Sequence, residues 1–512
     1  MSDKTQKSDE NRVRAESRLS RRELLKTMGL AGAAASVAPL ISATEAVAGS
    51  AGARGSGVPF AAAANDGFPQ AKHPNEIWSV DYAGNLFPGL RNGPALYAMF
   101  FPATGMHVED NGSIKVADAR NSVLRNISNL GDVTVFSGST QQYPFRDGKQ
   151  TEATFNSPND IDKLSDGSYV VGDRENNAIR QVLPDGTVKT IAGQGNCKNK
   201  YNGDQAIGTQ AMLNRPLTLT VARQHTAWHS ADTVYFADRD NQLIRKLVPN
   251  GDGTFALATV AGTPPTPGSD PCGALIYYPG RVDGPASQAR FRGACGVVLS
   301  PDERYLYVAE RDNNVVRAID LMENTVGTYA GVVMTGQGKG AYVDGPVNEA
   351  RFNGPSQIDY DNEGNLYVAD RFNHVIRKIT PSGNPMLGRT VETFAGVPMQ
   401  SGRISGPANR AKFHEPWGLA VDRKNNLVFV GDTGNSRVAV IGAHKDIWPA
   451  FVERINKARA YEYAQLMAAY RDYYQGEQQR DPQLPNAYGS EGIGERSAPN
   501  GNHYSDAPRS TR

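Results

Sequence analysis

The sequence predicts an all-β protein: a six-bladed β-propeller closed by an N-terminal strand, followed by one C-terminal amphipathic helix. Three observations predict it. A twelve-residue pattern recurs six times within the 512 residues. Five copies are followed by a short apolar run that ends in Ala-Gly or Ser-Gly. The composition sets 53 Gly and 31 Pro beside 21 Tyr and 17 Phe, which suits tight turns between aromatic-rich strands and not a helical bundle. The net charge is +1. No surplus of positive charge is available to track phosphates, so nucleic acid is not an expected partner.

Residues 1–48 read as an export signal. Arg21 and Arg22 precede a mild, Ala/Gly-rich apolar run from Met28 to Ala43, and Ala46-Val47-Ala48 has the form of a cleavage site. This is a twin-arginine pattern. The run is too short and too Ala-rich to anchor the mature chain in a membrane. The chain is therefore expected to be exported folded and to be periplasmic or secreted. Removing these residues removes eight Lys/Arg and six Asp/Glu, which turns the net charge from +1 to −1. Residues 49–76 read as a flexible linker.

The ring follows over residues 77–443. The six motif copies are VADARNSVLRNI from Val116, VGDRENNAIRQV from Val171, FADRDNQLIRKL from Phe236, VAERDNNVVRAI from Val308, VADRFNHVIRKI from Val368 and VGDTGNSRVAVI from Val430. Each is two apolar strands hinged at a polar turn. An anchor acid (Asp118, Asp173, Asp238, Glu310, Asp370, Asp432) has Asn three positions later. Both side chains can bond local backbone and favour turns. A further strand precedes each motif, as in PNDIDKL from Pro158 and PSQIDYD from Pro355. The fourth strand follows in VTVFSG, VKTIAG, LATVAG, VGTYAG and VETFAG. Four short strands repeated six times make a propeller. The sixth copy has no fourth strand, but residues 77–84 match that pattern, so the two chain ends are expected to pair and leave no open edge.

The anchors lie 55 to 72 residues apart, beyond the roughly 40–50 of common blades. The excess falls between the closing Gly of one blade and the first strand of the next. These linkers share VDGPASQARF, VDGPVNEARF and ISGPANRAKF. Here Gly-Pro is expected to make a turn and Ala-x-Phe to plug between blades. The recurring linker acids Asp147, Asp204, Asp283 and Asp344 suggest a turn role. Insertions confined to one face mark the binding face.

Residues 444–475 read as an amphipathic helix with an apolar stripe through Phe451, Ile455, Ala458 and Tyr461, starting on the face opposite the linkers. Residues 476–512, rich in Pro, Gly, Asn and Ser, read as a disordered tail.

The run FNGPSQIDYDNEGNLYVADRFNHVIRKI from Phe352 resembles an NHL repeat, and the other copies resemble weaker versions. The resemblance covers residues 77–443 and implies a six-bladed ring. It implies no single activity: the family includes binding modules, sensor domains and a metal-dependent lyase of peptide C-termini.

Candidate site residues are read from the starts of the first strands, nearest the channel mouth. They include Met106, His107, Asn159, Asp160, Arg215, Thr218, Cys295, Ser356, Gln357, His414, Glu415 and Trp417. A polar mouth with one large aromatic suits a small polar ligand. The ligand set is Asp160, Asn159, Gln357 and Trp417, joined by Arg174, Arg239, Arg311 and Arg371, which could receive carboxylates, sulfates or phosphates. His107 and His414, with Asp160 and Glu415, would suit a divalent metal if they converged. Cys197 and Cys272 are the expected disulfide. No Gly-x-Ser-x-Gly elbow is present. Two functions follow: an exported propeller that binds a ligand or protein partner on the linker face, or an extracytoplasmic enzyme at the channel mouth. The enzyme would be a metal-assisted lyase or hydrolase, or a cofactor-dependent oxidoreductase.

Overall fold

A computed structural model describes residues 71–195, 201–267, 275–332, 340–381 and 389–480. The segment expected to be an export signal (1–48), most of the expected linker at 49–76, the residues beyond 480, and Cys197 with Cys272, the expected disulfide, lie outside the described residues.

Six antiparallel sheets surround one axis, each running from an inner to an outer strand. The inner strands are Ala103–Val108, Pro158–Lys163, Pro216–Val221, Ala294–Leu299, Pro355–Tyr360 and Gly418–Asp422. Each neighbours the next around the axis, and the last neighbours the first. Ile77–Ala83 pairs antiparallel with Arg437–Ala443, from Ile77 opposite Ala443 to Ala83 opposite Val438. The N-terminal strand therefore completes blade six, as expected.

The linker turns out to be a strap. Gly93–Pro94, Gly284–Pro285, Gly345–Pro346 and Gly406–Pro407 each add a fifth strand outside the fourth. Gly-Pro thus pairs as an edge strand before the chain turns, which corrects the simple turn expected from sequence. Proline fits there because the outer side of an edge strand faces solvent and needs no donor. The glycine is required because φ is +121° at Gly284 and +134° at Gly345. The chain then returns inward. Phe100, Phe155, Phe291, Phe352 and Phe413 of the Ala-x-Phe pattern are buried between blades.

The turn motif is the outer end of a buried polar network. In blade five, Asp370 accepts the backbone N–H of Asn353 at 2.7 Å and the side-chain amide of Asn373 at 2.9 Å. Its second oxygen also accepts Arg377 at 2.9 Å. Arg377 donates further to Val343 O at 2.8 Å and to Asp344 at 2.5 Å. Its guanidinium lies 5.2 Å from the Phe352 ring centre. Arg125, Arg180, Arg245 and Arg317 hold the same place, each fully buried and paired with its anchor acid. In blade six, Asp81 of the closing strand replaces the linker acid beside Arg437. Asp147, Asp204, Asp283 and Asp344 therefore recur because they pair with these arginines and with fourth-strand threonines. Breaking such a buried pair from one side costs about 3–5 kcal/mol.

The helix α1 spans His444–Arg480; it starts where expected and runs five residues further, so 476–480 are helical rather than part of the tail. Ile447 and Phe451 are buried against Trp78, Val80 and Tyr82. Arg454 covers the Tyr82 ring at 3.8 Å, and Lys457 reaches Leu130 O and Asp132 in blade one. From Arg459 the chain forms a separate compact unit, in which Tyr463 is exposed. No described helix is long and apolar enough to cross a membrane.

Candidate functional site

The linkers and the anchor-acid turns emerge on one face, and the short hairpins joining first to second strands emerge on the other. The channel between them is closed twice.

The first closure is Trp417. It starts the blade-six inner strand and packs across the axis on Leu217 of blade three and Cys295 of blade four. Only 9% of it is exposed. The Arg371 guanidinium lies 5.0 Å from its ring centre. The second closure is a polar crossbar. Gln357 donates to Asp160 at 2.9 Å, and Asp160 also accepts Leu219 N at 3.0 Å. Gln357 in turn accepts Leu419 N at 3.2 Å. A side chain at Gly105 would place its Cβ 2.0 Å from Asp160 Oδ1, so the glycine makes room for the crossbar. Burial pushes the Asp160 carboxyl up to about 8.

Above Trp417, on the linker face, sits a collar of arginines. Arg174 lies 3.3 Å from Glu175, Arg239 3.1 Å from Asp240, Arg311 2.8 Å from Asp312 and Arg371 2.5 Å from Glu415. Arg215 joins Glu175 to Asp240, at 3.3 and 3.4 Å. The arginines read from sequence do share a face, each beside an acid. Arg239 and Arg311 both lie near the Cys295 thiol, whose pKa burial raises. Among the described residues, Trp417 Nε1 and Arg239 Nε find no hydrogen-bond acceptor and Asn159 Oδ1 finds no donor, although all three atoms are buried. Buried polar atoms without partners are uncommon and call for an explanation.

Two site expectations need correction. His107 and Met106 are not at the linker-face mouth. Ala103 holds the place opposite Asp118 that Pro158 holds opposite Asp173, so His107 is the fifth residue of its strand and lies towards the hairpin face. There its Nδ1 bonds Asp162 at 2.9 Å. His414 instead stands on the linker face, with its ring 5.8 Å from that of His374. The two histidines expected to share a metal are at opposite ends of the channel. No described group of three His, Cys, Asp or Glu side chains is placed to hold a metal ion.

The hairpin end carries charged residues that the sequence reading passed over. Asp162 accepts Arg223 at 2.6 Å and Val221 N at 2.8 Å. Asp359 accepts Arg423 at 2.5 Å and Val421 N at 2.8 Å. Burial raises the Asp162 carboxyl, but Arg223 and His107 outweigh it and hold it below the usual range. These four residues, with the crossbar as floor, line a cavity of about 150 Å³. The signal missed was distance along the strand: Arg223 and Arg423 follow the inner strands, where only the starts were read as channel.

Comparison with known proteins adds the family context. The NHL repeat family pattern matches residues 413–441, in blade six. The chain is 26% identical over 325 residues to SUPPRESSOR OF QUENCHING 1, chloroplastic, of Arabidopsis thaliana, covering 60% of this chain and 27% of that protein. It is 26% identical over 308 residues to human NHL repeat-containing protein 2, covering 58% of this chain and 40% of that one. It thus spans well under half the length of the curated relatives it matches. Among solved structures, an auxiliary nutrient binding protein from Bacteroides thetaiotaomicron aligns at TM-score 0.50 and 16% identity, over 72% of this chain and 76% of that one. That likeness shows the fold. The repeat match and the named relatives support placing the chain with the NHL propellers.

Proposed function

We propose that the protein is an exported NHL-type propeller that binds an oxygen-rich anionic group, on a small ligand or a protein partner, at the linker-face end of the channel. One observation carries this reading: two buried donors without acceptors, Trp417 Nε1 and Arg239 Nε, lie beside Cys295 beneath the arginine collar. The collar holds five arginines against Glu175, Asp240, Asp312 and Glu415. A carboxylate or phosphate would supply acceptors to the orphaned donors and balance the extra cation. Asn159 Oδ1 would receive a hydroxyl or amide of the same molecule.

Binding of small carboxylates and phosphates, read by thermal melting and calorimetry, tests the site. Binding is expected in the native protein and lost in Trp417→Phe, which keeps an aromatic ring and removes the donor. Binding that survives both Trp417→Phe and Arg239→Gln would contradict the reading. Export rests on the Arg21-Arg22 pattern alone. Replacing both with Lys is expected to leave the precursor in the cytoplasm, and unchanged export would contradict that part.

A further inference from the structure

We propose that the cavity at the hairpin end of the channel is a second binding site, and that it takes a small neutral polyol. The cavity is separated from the linker face by the Asp160–Gln357 crossbar and by Trp417, so it does not depend on the site above.

Its walls have a pseudo-two-fold arrangement. Blades two and three contribute Asp160, Asp162 and Arg223. Blades five and six contribute Gln357, Asp359 and Arg423 at matching positions. In each half the acid caps a backbone N–H of the next inner strand and binds that blade's arginine. The symmetry breaks at the axis, where Gln faces Asp, and at Asp162, which alone also bonds a histidine, His107. Two carboxylates at the axis would repel, whereas the amide donates to the acid.

The pairing sets the ligand chemistry. Arg223 is neutralised by Asp162, and Arg423 by Asp359. An entering anion or cation would have to compete with a partner already in place and leave a buried charge unpaired. A hydroxyl has no such conflict, because it donates to a carboxylate and accepts from a guanidinium at once. One donor lacks an acceptor: Arg423 Nε is buried and finds no partner among the described residues. The lining is mainly polar, which suits a molecule carrying a hydroxyl on each carbon. A cavity of about 150 Å³ accommodates a molecule near the size of benzene. That matches a three- or four-carbon polyol.

Calorimetric titration of the full chain with erythritol tests this, with acetate and methylammonium as smaller charged probes. Saturable erythritol binding is expected, with neither ion competing. Arg423→Gln should weaken it about ten-fold, equivalent to about 1.4 kcal/mol. Arg223→Gln, at the matching position of the other half, should weaken it likewise. Trp417→Phe should leave it unchanged, which separates this site from the linker-face site. If one arginine variant does not fold, the other decides. Absence of saturable binding would mean a cavity that holds only water, and the proposal fails. It fails equally if an ion binds more tightly than erythritol, or if the arginine variants bind like the native protein.

Discussion

Arg371 and Arg377 lie six residues apart in one blade and serve opposite ends of the same architecture. Arg377 is fully buried, with Asp370, Asp344 and Val343 O around it and an aromatic ring beneath. Arg371 reaches into the mouth over Trp417 and pairs with Glu415 of the next blade. The first kind of arginine has a counterpart in all six blades. The second stands in a collar whose floor differs in every blade: Thr104, Asn159, Leu217, Cys295, Ser356 and Trp417. What repeats holds the ring together, and what breaks the repeat marks where the ring does something else.

The largest effect should come from the seam. Deleting residues 71–83 removes the strand that closes blade six and, with it, Asp81, a partner of Arg437. Loss of cooperative melting is expected. A deletion protein that melts as one sharp transition would break the account of closure.

Next comes the arginine pair itself. Arg377→Ala should cost about 3–5 kcal/mol, because Asp370 is left buried and unpaired. Arg371→Ala should cost no more than about 1 kcal/mol, as partly exposed pairs do. Denaturant midpoints measure both. Equal losses would erase the distinction between scaffold and collar.

A smaller effect concerns pH. Burial pushes Asp160 up to about 8, above the ordinary value of about 3.9. Folding favours its protonated form, so the stability it lends is fully present below the unfolded pKa and is lost as pH rises through about 8. Asp81 runs the other way. Burial raises it, but Arg437 and Arg403 outweigh burial and hold it below the usual range, so its contribution is lost only in acid. Asp160→Asn should lessen the fall in stability across about pH 4 to 8, leaving the part that comes from Glu310, Asp118 and Asp370, which burial also raises, while Asp81→Asn should leave the whole fall in place. Melting curves across pH measure it.

These contrasts also explain what the sequence made legible. The ring, the seam and the plugging aromatics could be read because each recurs with a period or completes one: 77–84 was recognised by its likeness to five other strands. The third-strand Arg stands seven residues after the anchor acid in five motifs and five after it in the sixth, but its second acid lies elsewhere in the chain, and only folding shows that Arg377 meets both Asp370 and Asp344. The channel was read least well. Asp160 and Gln357 were picked out as separate strand starts, but they are 197 residues apart and nothing local says that they bond each other. His107 was placed at the wrong end because blade one starts with Ala103 where its neighbours carry a Pro. Trp417 was read as a mouth platform; the structure shows a ring lying across the axis, on which Leu217 and Cys295 pack from the far side.

That ring offers the most direct test. Trp417→Phe keeps an aromatic ring but leaves a small cavity, so it should cost on the order of 1–3 kcal/mol, while removing the indole donor. Calorimetry with the carboxylate and phosphate panel, run beside thermal melting on native protein and this variant, tests the central claim. The account predicts binding that disappears while the variant still melts in one cooperative transition. Binding retained in the variant, or lost only together with the fold, would contradict it.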